Sequence, residues 1–429
     1  MNRSLTETRV RVERSLRRRY WAERRFRAYG LLAVLLGISF VFVLFGSIFS
    51  KGYTAFRQAY LTLEIHYDPA VLYPDGTADP AALAGANYST LVRNSLREIF
   101  PEVTGRAELR LLSQLVSSSA THELQQHLTA HPELVGQREK RRFLAGADVD
   151  QLLKGAIDRR AAESTRMLTD QQVGWVDQLS QKAGLKLEFN SAFLTNGDSR
   201  EPEQAGVGGA LVGSVYTLLV TLLLSFPIGV AAAVYLEEFA RRSRWTDIIE
   251  VNINNLAAVP SIVFGLLGLA VFLNFFELPR SAPLVGGLVL TLLTLPTIII
   301  ASRAALKSVP PSIREAALGV GASKLQMVAH HVLPLAMPGM LTGTIIGMAR
   351  ALGETAPLLM IGMVAFIVDV PRGIMDPATV LPVQIFLWAD SPEQAFIERT
   401  SAAILVLLAF LILMNGVAVI LRKRFERRW

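Results

Sequence analysis

Cysteine is absent from the 429-residue chain, so neither disulfide bonds nor thiolate chemistry is available to it. Charged residues are also scarce, at 18% of the sequence, whereas soluble globular proteins have about 25%. The charges are concentrated in a few blocks. Between these blocks lie apolar runs long enough to span a bilayer, which takes about 20 residues. The sequence therefore predicts an integral membrane protein.

Six apolar runs are predicted to be transmembrane helices, at 31–49, 208–236, 256–276, 283–302, 336–367 and 401–421. The first is too long for the apolar region of a signal peptide, and no small-residue cleavage site follows it, so we expect it to be retained. Ten arginines precede this run, and five basic residues follow the last one. Because cytoplasmic segments carry the excess of Lys and Arg, both termini are predicted to be cytoplasmic. The basic residues thus favour contact with membrane lipid, and no nucleic-acid partner is expected.

The predicted fold is all-α, with a long soluble insertion between the first two transmembrane helices. The predicted segments are a basic tail at 1–29, a first transmembrane helix at 30–50, an extracytoplasmic domain at 51–207, a five-helix core at 208–421 and a basic tail at 422–429. We expect the insertion to be α-rich, with helical stretches such as 106–118 and 147–168. Three histidines lie close together there: His122, His127 and His131. A solvated helix face is favoured over a metal site, because no further ligand pattern accompanies them.

One predicted transmembrane run contains two full charges, Arg350 and Glu354. On a helix they share a stripe with Gly339, Gly343 and Gly347, because the successive steps are four, four, three and four residues. Glycines at this spacing let membrane helices approach closely, so the charges are predicted to face protein or a cavity. Arg350 lies about 18 Å from the cytoplasmic edge, taken at Pro338, at a rise of about 1.5 Å per residue.

Two interpretations of this pair remain open. In one, Arg350 and Glu354 pair with each other and fix their helix to a neighbour. In the other, the Arg350 guanidinium binds an oxyanion in a bidentate way, and Glu354 accepts a hydrogen bond from a protonated oxygen of that anion. Phosphate keeps such a proton near neutral pH and sulfate does not, so Glu354 would select for phosphate. Thr355 supplies a further hydroxyl.

The cytoplasmic loop at 303–335 predicts two short helices. Pro310-Pro311 suits a helix start, Gly321 suits a break, and Pro334 is expected to close the second helix. "GVGASK" at 319–324 lacks the spacing of a phosphate-binding loop, so we expect no cofactor on this chain and ATP on a separate subunit.

This loop resembles the EAA loop of ABC importer permeases, through Glu315, Ala316, Ala317, Gly321, Leu333 and Pro334. It departs from the pattern at His331, where the family has an apolar residue. "RALGETAPLL" resembles an element of phosphate ABC permeases, and "LPVQIFLWADSPEQAF" is more similar to the A-type (PstA) subunit than to its partner. The resemblance covers about 206–421. It implies a MetI-like type I importer core that docks on an ATPase through the EAA loop.

The resemblance also implies partners: a second, PstC-type permease, a PstB-type ATPase dimer and an extracytoplasmic PstS-type phosphate-binding protein. The predicted function is thus a permease subunit of an ATP-driven phosphate importer in the bacterial inner membrane, without an ATPase site of its own. Alternatives are a permease for sulfate or molybdate, or a phosphate-status sensor on the same scaffold. An intramembrane enzyme is disfavoured, since the predicted spans contain neither Cys nor His.

Overall fold

The computed structural model describes residues 2–73 and 80–425. Up to residue 207 the helices are α1 Asn2–Gly52, α2 Pro69–Leu72, α3 Pro80–Gly85, α4 Tyr88–Ile99, α5 Arg106–Ser113, α6 Ser119–Ala130, α7 Ala147–Leu153, α8 Asp170–Lys182 and α9 Ser191–Thr195. Beyond it they are α10 Gly208–Val234, α11 Arg244–Ala258, α12 Ser261–Gly268, α13 Pro283–Ser308, α14 Pro311–Gly319, α15 Lys324–Met327, α16 Leu333–Gly353, α17 Ala356–Met360, α18 Leu381–Ala389 and α19 Ala395–Phe425. The strands are β1 Arg57–His66, β2 Arg138–Leu144 and β3 Lys186–Phe189.

The insertion is built on a small antiparallel sheet in the order β2-β1-β3. Leu61, Leu63 and Ile65 of β1 are buried under the helices, and the residues between them are more exposed. This alternation with a period of two is the mark of a strand with one buried face. An all-α chain is therefore wrong for the insertion, which is mostly helical but contains this sheet.

The predicted helix at 147–168 is also wrong beyond its first two turns. α7 ends at Leu153, and Gly155 adopts a positive φ of 77°. Glycine takes this left-handed conformation without steric cost, so it ends the helix. The other predicted stretch, 106–118, contains α5.

Five described helices are long and apolar enough to cross a membrane. They are Arg18–Phe56, Gly208–Phe239, Pro283–Ser308, Lys324–Gly353 and Ala395–Arg424. A sixth candidate is the pair Arg244–Ala258 and Ser261–Phe275, bent by 101°. Its bend replaces the straight span predicted at 256–276. Val259 precedes Pro260, which disfavours helical backbone at that position, and it is extended here, with ψ 133°.

The predicted uninterrupted span at 336–367 is wrong as well. α16 ends at Gly353, and Glu354 has an extended backbone with ψ 124°. A continuous helix would bring the ring of Pro357 against the carbonyl of Gly353, four residues earlier. The chain therefore breaks and starts the short helix α17.

The insertion contacts the start of α19 through buried charged groups. The Lys154 ammonium lies 2.5 Å from an Asp150 oxygen and 3.0 Å from a Glu398 oxygen, and all three side chains are at most 7% exposed. Next to Glu398, Arg399 is fully buried and donates to the side chain of Gln58 at 2.5 Å. These contacts join α7 and β1 of the insertion to the last helix of the core.

Candidate functional site

Arg350 and Glu354 lie at the break between α16 and α17. The Arg350 Nε donates to Glu354 Oε1 at 3.4 Å. Glu354 is the first residue after the helix, so it does not continue the predicted helical stripe. Its side chain is 17% exposed, whereas that of Arg350 is 48% exposed. The structure thus brings the two charges together but leaves the guanidinium on an open face of this chain.

Thr355 lies beside this pair as the N-cap of α17. Its carbonyl accepts the N–H groups of Leu358 and Leu359 at 3.1 and 3.0 Å. The side chain of Thr355 is half-buried. Thr355 follows Glu354 directly in the sequence, so its hydroxyl lies at the same break between α16 and α17.

The three glycines of the stripe face α13. A Cβ on Gly339 would lie 2.6 Å from the Cβ of Ala305, and one on Gly343 would lie 2.2 Å from the Cβ of Ala301. At Gly347 the nearest atom would be 3.8 Å away. The two helices are thus in close contact along the first part of the seam and fit less tightly as α16 approaches Arg350.

The chain is tightly packed behind the charged pair. Ala351, Leu352 and Leu358 are buried there, and the void that they line with α10, α13 and α18 has a volume of about 10 Å³. This is about the space that one water molecule needs. This chain therefore leaves more room for an anion on the exposed side of Arg350.

The loop at 303–335 forms a projecting helical turn. Pro310 precedes α14, Gly321 has a φ of 90°, and Ser323 caps α15 in a capping box with Gln326. Glu315 and Ala316 are exposed, whereas Ala317 is 5% exposed and packs inward.

The predicted end of the second loop helix at Pro334 is wrong. α15 continues through a π-helical turn, Val328–Val332, into α16. A π-helical turn changes the backbone hydrogen bonding before Pro334, which has no N–H of its own to donate. Leu333 and Pro334 lie within this continuous helix.

Sequence reasoning missed three exposed apolar residues on this turn. Leu318 is 48%, Val320 86% and Leu325 67% exposed. Together with Glu315 and Ala316 they form what we call the coupling knob. The signal was present in the sequence, because these apolar residues alternate with Gly and Ser in a segment predicted to be a loop.

The histidines of the insertion have other partners. His127 Nε2 lies 3.2 Å from a Glu139 oxygen, and His131 Nδ1 lies 3.1 Å from a Glu133 oxygen. His122 bonds Gln126. Among residues 2–73 and 80–425, no group of three or more His, Asp or Glu side chains is arranged to hold a metal ion.

Known proteins similar to this chain are membrane permeases. The family described as binding-protein-dependent transport system inner membrane component matches residues 225–429, and a domain of unknown function, DUF3333, matches residues 13–163. The chain is 35% identical over 231 residues to the phosphate transport system permease protein PstA 1 of Mycobacterium tuberculosis, which covers 53% of this chain and 74% of that protein.

Two further relatives differ in coverage. The chain is 34% identical over 173 residues to the probable ABC transporter permease protein YqgI of Bacillus subtilis, which is 40% of this chain and 58% of that relative. Identity to PstA of Yersinia pestis is 32% over 215 residues, or 50% of this chain and 71% of that relative. The chain thus spans between 58% and 74% of the length of these three proteins.

Among solved structures, a chain of the MetNI methionine ABC transporter in an inward-facing conformation is 18% identical, with a TM-score of 0.41 over 51% of this chain and 97% of that one. The family assignment rests on the sequence matches, which cover more than two thirds of the PstA relatives. The chain belongs to the PstA-type permeases, the multi-pass inner-membrane subunits of ABC importers.

Proposed function

We propose that this chain is one of the permease subunits of an ATP-driven importer of inorganic phosphate. The observation that carries the proposal is the Arg350–Glu354 pair, set at a helix break and open on one side. A charge within a membrane-spanning segment costs at least about 2.5 kcal/mol on insertion scales, so it is retained where it has a role. The names of the PstA relatives support phosphate as the transported ion.

The pair suits a protonated oxyanion. Within the described part of the chain, the bond to Glu354 is the one hydrogen bond of the Arg350 guanidinium, so its Nη groups are free to bind two phosphate oxygens. The Glu354 carboxylate accepts the hydrogen bond of a P–OH group and repels an anion that has no proton. A PstC-type permease would supply the facing wall of the pathway, because Arg350 is exposed when this chain is considered without other subunits.

We propose positions for the remaining partners from the exposed surfaces and charges of this chain. ATP would be bound by a PstB-type subunit that docks on the coupling knob, where exposed apolar residues lie on the same helical turn as Glu315. A PstS-type protein would deliver phosphate at the extracytoplasmic face. Both termini would lie in the cytoplasm, where their arginines contact anionic membrane lipid.

The proposal is tested by phosphate uptake in cells that carry Arg350→Lys or Glu354→Gln. Lysine keeps the charge but cannot form the bidentate contact, so we expect uptake to fall about 10- to 100-fold, as the loss of a charged hydrogen bond predicts. Arg372→Lys is the matched control, because Arg372 is exposed and its hydrogen bonds to Tyr216 and Asp376 are made by its main chain.

The glutamate variant tests selectivity. Glutamine keeps the shape of the side chain at this position but loses its charge, so we expect sulfate to compete with phosphate in Glu354→Gln and not in the unmodified protein. The proposal fails if Arg350→Lys is present in the membrane and takes up phosphate normally. Competition by sulfate in the unmodified protein would instead favour an importer of several oxyanions.

A further inference from the structure

Arg314 joins three separate elements on the cytoplasmic side of the core. It lies on α14, within the cytoplasmic loop. Its Nε and Nη2 donate to Glu238 Oε1 at 3.1 and 2.6 Å. Its Nη1 donates to the carbonyl of Val309 at 2.7 Å, and its Nη2 donates also to that of Leu306 at 2.9 Å. One guanidinium therefore fastens α14 to the end of α13 and to the segment that follows α10.

The acceptors are arranged for this contact. Leu306 and Val309 lie at the C-terminal end of α13, where carbonyls lack the usual donor four residues later. The Leu306 carbonyl also accepts the N–H of Val309 at 3.2 Å. Glu238 lies in a π-helical turn, Tyr235–Phe239, that ends α10, and its side chain is 7% exposed. Arg314 is 21% exposed. A pair this buried, with several hydrogen bonds, holds its geometry far better than an exposed ion pair.

The neighbouring carboxylate makes a different contact. Glu237 Oε2 lies 3.5 Å from Arg303 and 3.6 Å from Lys307, both on α13. Lys307 is 56% exposed and its contact is longer. Glu238 thus makes a short, buried contact with α14, whereas Glu237 makes longer contacts with α13. Lys307 therefore provides a comparison, because it lies on the same end of α13 that Arg314 contacts from α14.

We propose that Arg314 is a positioning residue that transmits movement of the coupling knob to the transmembrane helices. This inference rests on the proposed function, since it assumes an ATPase subunit on the knob. A shift of α14 would pull on the end of α13 and on Glu238 through the same side chain. α13 in turn packs on α16 through Gly339 and Gly343, and α16 carries Arg350. The contacts form a continuous chain from the knob to the proposed phosphate site.

The test measures ATP hydrolysis and phosphate uptake on the same proteoliposomes, which contain the whole importer with its binding protein. Arg314→Gln removes the charge. Arg314→Lys keeps the charge but cannot reach Glu238 and two carbonyls together. We expect both variants to co-purify with the ATPase subunit and to consume about fivefold more ATP per phosphate than the unmodified complex. Glu238→Gln should change the ratio in the same direction by a smaller factor, and Lys307→Gln should leave it unchanged.

Two results would overturn the inference. One is an unchanged ratio of ATP to phosphate in assembled Arg314→Gln and Arg314→Lys complexes. The other is loss of the ATPase subunit from both variants, which would make Arg314 a purely structural residue. If the unmodified complex takes up another oxyanion and not phosphate, the proposed substrate is wrong. The ratio is then measured with that ion, and Arg314 is judged by the same criteria.

Discussion

Arg350, Arg314 and Arg399 differ in burial, and their partners differ accordingly. The side chain of Arg350 is 48% exposed and, among the residues that the structure describes, makes one weak contact, with Glu354, which leaves its donors available to a ligand. Arg314 is partly buried and donates to a carboxylate and two carbonyls. Arg399 is buried between Gln58 and the ring of Phe193. At the scale of single residues, exposure separates the candidate ligand contact from the structural contacts.

Glu203 gives a pH-dependent prediction at the same scale. It is 4% exposed, one oxygen accepts from Ser117 at 2.7 Å, and burial raises the pKa of its carboxyl above the usual 4.5. In the unfolded chain Glu203 has its ordinary pKa of about 4.5, so it loses its proton at a lower pH than in the folded chain. The free energy of unfolding should therefore fall as the pH rises from about 4.5 through the raised pKa of the folded state. We expect Glu203→Gln to raise the Tm by about 2–4 °C at pH 7.5 and to have less effect at pH 5.

The measurement is thermal unfolding of the purified full chain at both pH values. Glu201→Gln serves as the control, because Glu201 is exposed two residues away. An equal Tm shift at pH 5 and pH 7.5 would contradict an origin in the buried charge.

At the scale of elements, the sequence predicted long regular helices well and their interruptions poorly. The apolar runs at 208–236 and 283–302 lie within α10 with its π-helical turn and within α13, because length and hydropathy alone decide such helices. The breaks at Val259 and Glu354 precede Pro260 and Pro357, whereas Pro227, Pro296 and Pro338 lie inside α10, α13 and α16. Pro260 and Pro357 lie in apolar runs, where a high mean hydropathy gives no sign of a helix break.

The candidate site shows the same limit. The spacing of Arg350 and Glu354 along the chain predicted that they are close, and their side chains do meet. The periodicity of the sequence could not show that Glu354 lies beyond the end of α16. The position of that end is linked to Pro357, three residues after Glu354. The contacts of Arg314 with Glu238, 76 residues away, depend on tertiary packing and had no local signal.

The glycine seam between α13 and α16 yields a prediction for paired elements. Gly343→Ala places a methyl group 2.2 Å from Ala301 Cβ and must push the helices apart, whereas the methyl of Gly347→Ala meets its nearest atom at 3.8 Å. Overpacking of this kind costs about 1–3 kcal/mol. We expect the Tm of the purified chain in lipid nanodiscs to fall for Gly343→Ala and to stay unchanged for Gly347→Ala. Equal Tm values for the two variants would refute the close approach of these helices.

At the scale of the whole molecule, the insertion is not a detachable module. Besides the contacts of Lys154 with Glu398 of α19 and of Arg399 with Gln58 of β1, Trp388 of α18 donates to Asp198 of the insertion at 2.8 Å. Removing the insertion would expose Glu398 and Arg399, which it now buries. A deletion of 55–200 would therefore damage the core as well as any function of the insertion, and single substitutions at the junction are the cleaner probe.

Lys154 is the position where this connection is tested most directly. Its ammonium lies between Asp150 and Glu398 with a 2% exposed side chain, so Lys154→Met keeps the volume and leaves two buried carboxylates without their cation. The loss of one partner from a buried ion pair costs about 3–5 kcal/mol, measured as a fall in the free energy of unfolding of the full chain. Lys186→Met removes a lysine whose side chain is 70% exposed beside Glu188, and it should cost at most about 1 kcal/mol. If Lys154→Met costs no more than Lys186→Met, the buried charge of Lys154 does not stabilise the junction.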